Sequence, residues 1–373
     1  MRYRHMNPFR YQGPIEPADL IDRAAELDAL QRAAADRVNI RLAAPRRYGK
    51  SSLLEAHGAT MRAAGHRAVR VDFYRVATVA DVAARTIAAY RGLPGEPGRI
   101  LERLSRQMGL TVGPSGVSVQ IGPRGATGPL GADQARSVLL ELLDLPGRLH
   151  TADGGLTVVC FDEFQDLLTA DDRLDGLFRS VIQHHGRAAA YVYAGSRPSL
   201  MREMFSAHER PFYAQARPLA LPVLPPEETH ADLQAIFAAH DMVPGQGLDD
   251  VVVIGAGHPQ RTMLLAHHLY EVLSEEGDPG DAAGQALERA LEETADVHQA
   301  TWEALGRPER AVLVALADGL SATGQRAARE HATSRSSMQR ALERLATEEQ
   351  HVIRDAQGAR LLDPLLAEWL RRR

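Results

Sequence analysis

The 373-residue chain has one cysteine, one lysine and only 5% aromatic residues. A single cysteine excludes a disulfide framework and suits a reducing cytosol, so a cytoplasmic location is expected. Cys160 sits in an apolar run, which makes it a buried structural thiol rather than a nucleophile. No run of about eighteen apolar residues occurs, and the N-terminus has no signal-peptide apolar core, so neither membrane spanning nor ordinary secretion is expected. There is no internal repeat and no long low-complexity tract. The pairs His184-His185 and His267-His268 point apart on a helix and lack a third ligand at metal spacing. No Ser–His–Asp arrangement can be argued.

What is present describes an ordinary globular protein, with 45% hydrophobic and 24% charged residues and enough length for two or three domains. The net charge of −5 is unevenly placed, because residues 306–373 hold 12 arginines against 9 acids. That basic tilt permits a nucleic-acid partner without requiring one.

The scarcity of lysine directs attention to Lys50. It lies in Ala44-Pro45-Arg46-Arg47-Tyr48-Gly49-Lys50-Ser51-Ser52, a phosphate-binding loop of the G-x-x-x-x-G-K-[ST] kind with Ala44 at the first glycine position. Every other basic side chain is arginine. An ammonium is a compact point charge that fits against β- and γ-phosphate oxygens where a guanidinium is too wide. The context agrees. Val38–Ala43 alternates as a strand and Ser51–Arg62 reads as a helix ending before Gly65. Loop N–H groups and the helix's positive end then face the phosphates, and Ser51 is placed to ligate Mg²⁺. Alanine at position 44 matters little if its φ is negative and more if the turn needs φ > 0.

A second motif follows the near-continuous apolar run Leu156–Phe161, which reads as a buried parallel strand. It ends in Asp162-Glu163-Phe164-Gln165. Asp162 at a strand tip can hold Mg²⁺ through water, and Glu163 is placed to act as general base on an attacking water. Another strand, Ala189–Ala194, ends at Gly195-Ser196-Arg197, and Ser196 there would face a γ-phosphate. Arg217–Leu221 reads as the last core strand, closed by Pro222 and Pro225-Pro226. Residues 202–217 look like a solvated face.

The rest divides by pattern. Residues 93–131 are glycine- and proline-rich and read as an insertion, with a short helix at Ile100–Met108 and an edge strand at Val117–Ile121. From Glu227 the chain is helical, and Gly257-His258-Pro259 opens a helix whose first turn carries Arg261, a candidate to reach back to the nucleotide. Residues 306–373 spell three helices and a hairpin, a winged helix-turn-helix. Its third helix offers Arg335, Gln339, Arg340 and Arg344 as candidate DNA contacts. The expected organisation is therefore an α/β core over 1–225, with a P-loop parallel sheet flanked by helices, then an α-helical lid and connector over 226–305 and the winged helix over 306–373.

Over its whole length the chain resembles the archaeal-type ATPase family, a branch of AAA+/STAND P-loop ATPases akin to origin-recognition-type initiators. The matching residues are Asn7-Pro8-Phe9, Ile21-Asp22-Arg23 with Glu26-Leu27, Pro45 to Ser51, Asp162-Glu163-Phe164-Gln165, Gly195-Ser196, Gly257-His258-Pro259 and the closing Asp363-Pro364-Leu365 to Arg371. The resemblance implies that ATP is the nucleotide, with the Arg23 segment over its adenine. It also implies that Lys50 and Ser51 bind phosphates and Mg²⁺, and that Asp162 and Glu163 form the metal and water-activating pair. One departure bears on rate. The family's arginine after Pro-hydrophobic-Tyr-Gly falls at Gln215, leaving Arg202, Arg210 or Arg217 as substitutes in trans. Without such a finger, hydrolysis is expected to be slow and nucleotide to act as a switch. Two other functions stay open: a nucleotide-regulated DNA-binding regulator or initiator, and a non-catalytic scaffold for a separate protein effector. An oligomer is compatible with any of them.

Overall fold

Thr157–Asp162 leaves no side chain exposed, as β-branched and aromatic residues in a central parallel strand should. In the computed structural model this segment is β6 of a five-stranded sheet whose other members are β1 (Ile40–Ala43), β2 (Arg67–Asp72), β7 (Ala189–Gly195) and β8 (Arg217–Ala220), in the order β2-β6-β7-β1-β8. The structure describes residues 7–13, 15, 20–93, 98–99, 110–113, 116–121, 126–129, 131–275, 280–330, 333–347, 351–355 and 358–373. All five strands of that sheet run parallel.

The described residues divide into two compact units, one of residues 16–46 and 50–221, the other of 1–15, 47–49 and 222–373. In the first, the longer helices are α1 (Ala24–Ala35), α2 (Lys50–Ala63), α3 (Val79–Arg91), α4 (Ala132–Leu143), α5 (Leu145–Asp153), α6 (Leu174–Ile182) and α7 (Pro198–Ser206). Alternate residues of the strands (Val69 and Val71, with Phe73 just past β2; Val159 and Phe161; Tyr191 and Tyr193) meet α3, α4, α6 and α7 in one core. Six of the eight phenylalanines and three of the nine tyrosines gather there. Phe161 lies 5.6 Å from Phe73, 5.4 Å from Phe178 and 5.8 Å from Tyr191, ring centre to ring centre. Each such buried ring or aliphatic side chain stabilises the unit by roughly 1.5–3 kcal/mol. Helix α3 starts at a capping box, in which Thr78 Oγ1 accepts from Asp81 N–H and the Asp81 carboxylate accepts from Thr78 N–H. Cys160 is buried, and burial pushes its thiol up to about 12, which makes it unreactive.

Two segments differ from expectation. Val117–Ile121 is not an edge of the main sheet. It belongs to β4 (Gly116–Ile121), the middle strand of a separate antiparallel sheet with β3 (Leu110–Gly113) and β5 (Ala126–Pro129). Alternation marks a strand but not the sheet it joins. Residues 198–206, partly taken for a solvated face, form α7, which buries Met201, Met204 and Phe205 at helical spacing between polar neighbours. The helix expected over 100–108 lies outside the described residues.

The second unit holds α8 (Pro226–Ala239), α9 (Gln246–Gly255), α10 (Pro259–Ser274) and the 23-residue α11 (Ala282–Ala304). It continues with α12 (Arg307–Ala317), α13 (Gln325–Glu330), α14 (Arg335–Thr347), the hairpin β9 (Val352–Asp355)–β10 (Gly358–Leu361) and α15 (Pro364–Arg371). The N-terminal Phe9 is fully buried here, 4.5 Å from the ring of Phe237, and Asn7 Nδ2 donates to the His267 carbonyl at 3.0 Å. Helices α12 to α14 and the hairpin share a core of Val312, Leu313, Met338, Leu345 and Val352, which is a winged helix. Helix α15 returns onto α11, where Trp369 meets Trp302 ring centre to ring centre at 6.4 Å and Arg373 caps both rings at 4.8 and 5.0 Å. Among the described residues no helix is long and apolar enough to cross a membrane.

Candidate functional site

Sheet register assembles the site. Strands β6, β7 and β1 are neighbours, and Ala43 stands opposite Gly195. The Ala44, Ser196 and Glu163 segments therefore leave three adjacent strands at the same C-terminal edge, the usual ligand edge of an open α/β sheet. Ala44 N–H donates to the Gly195 carbonyl at 3.3 Å. Ala44 is not among the residues with positive φ, so its methyl costs the turn nothing, whereas Gly49 has φ +82° and needs to be glycine. Gly195 is required for another reason: a Cβ there would stand 2.3 Å from Gln165 Oε1 and 2.6 Å from Met201.

Lys50, 6% exposed, turns its ammonium back into the loop and donates to the Ala44 carbonyl at 2.9 Å and the Pro45 carbonyl at 3.1 Å. Burial lowers its pKa, against the pull of Glu163 and Asp162. No carboxylate among the described residues lies within ion-pair distance, so the ammonium is oriented by weak carbonyl partners that a phosphate can displace. The other loop side chains go elsewhere. Arg46 lies over the Tyr74 ring at 5.4 Å, and Tyr48 meets His258 edge-on at 5.2 Å. Arg47 is exposed and Ser52 buried in α2.

Ser51 Oγ donates to Asp162 Oδ2 at 3.1 Å, so the two expected Mg²⁺ ligands already adjoin. Among the described residues no group of three His, Cys, Asp or Glu side chains could hold a metal. One hydroxyl and one carboxylate, completed by phosphate oxygens and water, is the donor set Mg²⁺ ordinarily takes, so these residues fit that ion. Glu163 adopts the left-handed φ of +50°, which costs a non-glycine residue roughly 1–2 kcal/mol. The twist brings its Oε2 within reach of three donors: Ser196 Oγ at 2.6 Å, Ser196 N–H at 3.1 Å and Gln165 Nε2 at 2.6 Å. All three hold one carboxylate oxygen and leave Oε1 available to a water.

Two residues of this cluster escaped sequence reading. Gln165 was part of a quoted motif but had no role, and its amide orients the acid. Arg70 of β2 donates to Asp162 Oδ2 at 2.6 Å. Arg70 stands opposite Cys160 in the register, two residues short of Asp162 on the same face, a relation that only strand pairing reveals.

Two candidate nucleotide residues have partners within their own units. Arg23, 3% exposed, donates to Glu26 at 3.3 Å. Arg261, in the first turn of α10, pairs with Asp363: its Nε contacts both carboxylate oxygens at 2.9 and 3.0 Å and its Nη2 closes a second bond to Oδ2. His298 Nε2 lies 3.5 Å from the same carboxylate. Burial alone would raise the Asp363 pKa, but His298 and Arg261 together hold it far below the usual carboxylate range. Burial likewise takes His258 down to about 4, so a neutral imidazole accepts the Arg261 N–H and caps α10. On the winged helix Arg335, Gln339 and Arg340 are exposed, while Arg344 is drawn inward to Glu309 at 2.9 Å.

The class these observations define is a P-loop α/β fold with a helical lid and a winged helix, the architecture implied by the resemblance to archaeal-type ATPases. The same fold occurs in a Walker-type ATPase of Pyrococcus abyssi, with a TM-score of 0.69 at 18% identity over 98% of this chain and 99% of that one. It occurs also in the ORC2 protein of Aeropyrum pernix in its ADPNP–ADP complexes, with a TM-score of 0.59 at 16% identity over 97% of this chain and 96% of that one. The ADP form of that protein gives 0.54 at 16% identity over the same shares. No family model matches the sequence, and no curated protein does.

Proposed function

We propose that the protein binds Mg-ATP and hydrolyses it slowly, as a cytoplasmic switch whose nucleotide state is read by the lid and the winged helix. The observation carrying this reading is the buried ammonium of Lys50 on two loop carbonyls, beside the Ser51–Asp162 and Glu163–Ser196 pairs. Loop amides and Lys50 would bind the β- and γ-phosphates. Mg²⁺ held by Ser51 and Asp162 would neutralise charge on their oxygens. Glu163 Oε1 accepts a proton as the water oxygen bonds to the γ-phosphorus and the bond to the bridging oxygen breaks, leaving ADP and phosphate. Gln215, which donates to its neighbour's carbonyl at Tyr213, supplies no cation, in keeping with a slow rate.

Lys50→Ala should weaken binding of a fluorescent ATP analogue by about 10–100-fold, the worth of the lost charge-assisted bonds. Lys50→Arg should not restore it, since the fork is too wide for the loop. Wild-type affinity in Lys50→Ala would end this reading.

A second reading, regulated duplex-DNA binding, is favoured by the exposed Arg335, Gln339 and Arg340 on the third helix of the winged helix. It expects salt-dependent binding whose log–log slope falls by about 2 in the double variant Arg335→Ala/Arg340→Ala. Fluorescence anisotropy with a labelled duplex at low salt is the check, and a flat signal removes DNA from the account.

A further inference from the structure

Asp162, expected to serve a metal ion, is already paired with a cation. Its Oδ2 accepts both from Ser51 Oγ at 3.1 Å and from Arg70 Nη2 at 2.6 Å, and its Oδ1 accepts from Glu163 N–H at 3.1 Å. The carboxylate is 2% exposed, so the guanidinium balances a charge that water cannot. Arg70 itself is only partly covered, and its Nη1 lies 4.0 Å from Oε2 of Glu55, a half-exposed acid four residues after Ser51 on α2. The other oxygen of Glu55 already holds Arg62 at 3.2 Å, leaving Oε2 open toward Arg70.

We propose that Arg70 guards the metal ligand: it neutralises Asp162 while the site is empty and moves to Glu55 when Mg-nucleotide binds, thereby setting the Mg²⁺ concentration at which the site loads. The inference rests on the nucleotide reading above and adds its regulation. A guanidinium and a dication repel each other at one buried carboxylate, whether the ion is held directly or through water, so they occupy Asp162 in alternation. Strand pairing fixes the Arg70 backbone, so the exchange needs only side-chain rotation between two carboxylates already in reach. Arg70 is on this account a positioning residue, acting on the metal through Asp162.

The test is a Mg²⁺ titration of nucleotide binding, read with a fluorescent ADP analogue so that turnover plays no part. Wild type is compared with Arg70→Met, Arg70→Lys and Glu55→Gln. Arg70→Met should lower the Mg²⁺ midpoint about tenfold, the scale of one charge-assisted hydrogen bond. It should also show a larger thermal shift on adding Mg²⁺ and ADP together, because its Asp162 lacks a partner until the ion arrives. Arg70→Lys keeps the charge and should stay near the wild-type midpoint. Glu55→Gln, at a half-exposed position that tolerates the change, should raise the midpoint by removing the charge of the alternative partner. An unchanged or raised midpoint in Arg70→Met would overturn the guard, since a purely structural support for Asp162 weakens metal binding when removed. Should Arg70→Met fail to fold, an unchanged midpoint in Glu55→Gln overturns it equally. Wild type that binds no analogue at any Mg²⁺ level refutes the nucleotide reading itself, an outcome distinct from either.

Discussion

Glu163→Gln is expected to lower ATP turnover by about 10²–10⁴-fold while leaving nucleotide binding within a few fold of wild type. The geometry explains the separation. All three donors, Ser196 Oγ, Ser196 N–H and Gln165 Nε2, hold Oε2 of Glu163. A glutamine keeps that pattern by offering its carbonyl oxygen to the same donors, which turns its NH₂ to the place of Oε1. The pocket then retains its shape and loses its proton acceptor. Single-turnover phosphate release measured beside equilibrium binding makes the comparison. Turnover within threefold of wild type would remove Glu163 from the role of base.

The second large effect concerns Asp363. Asp363→Ala should destabilise the protein by about 3–5 kcal/mol, because it strands the guanidinium of Arg261, 3% exposed, without a counter-charge. It also removes the cap of α15, whose first N–H groups, those of Leu365 and Leu366, are held by Asp363 Oδ1 at 3.0 and 3.4 Å. Replacing both members of the pair by apolar residues, Arg261→Met with Asp363→Leu, should recover much of the loss, since a buried ion pair is often matched by well-packed hydrocarbon. Urea midpoints of the three variants decide it. If Asp363→Ala unfolds at the wild-type midpoint, the pair contributes nothing to the fold. Turnover in the double variant bears on Arg261 as well: a loss comparable to that of Glu163→Gln, in a variant that folds, would support its candidate role at the nucleotide.

What could be read from the chain and what could not follow from the distance over which a signal acts. The phosphate loop was legible because strand, turn and helix are contiguous, and Gly49, Lys50 and Ser51 must follow one another for any loop of this kind to close. Strand β6 was legible because six buried residues in succession leave no other reading. Arg70 was not, because its meeting with Asp162 spans 92 residues and depends on which strands are neighbours. The Arg261–Asp363 pair spans 102 residues and joins α10 to the N-cap of the last helix of the chain. Each half looked like a familiar motif alone, and nothing local told that one would hold the other. Arg344 shows the same limit within one small domain, where helical spacing put it with the basic face but Glu309 draws it inward.

Both indoles of the protein, Trp302 and Trp369, lie where the last helix folds back on the long connector, under the same guanidinium of Arg373. The unlabelled molecule therefore carries a built-in optical gauge of that packing seam. Its ultraviolet emission should redden and change in yield if α15 lifts from α11, and stay silent to events confined to the sheet. Stopped-flow mixing with nucleotide can thus time any motion there without a dye.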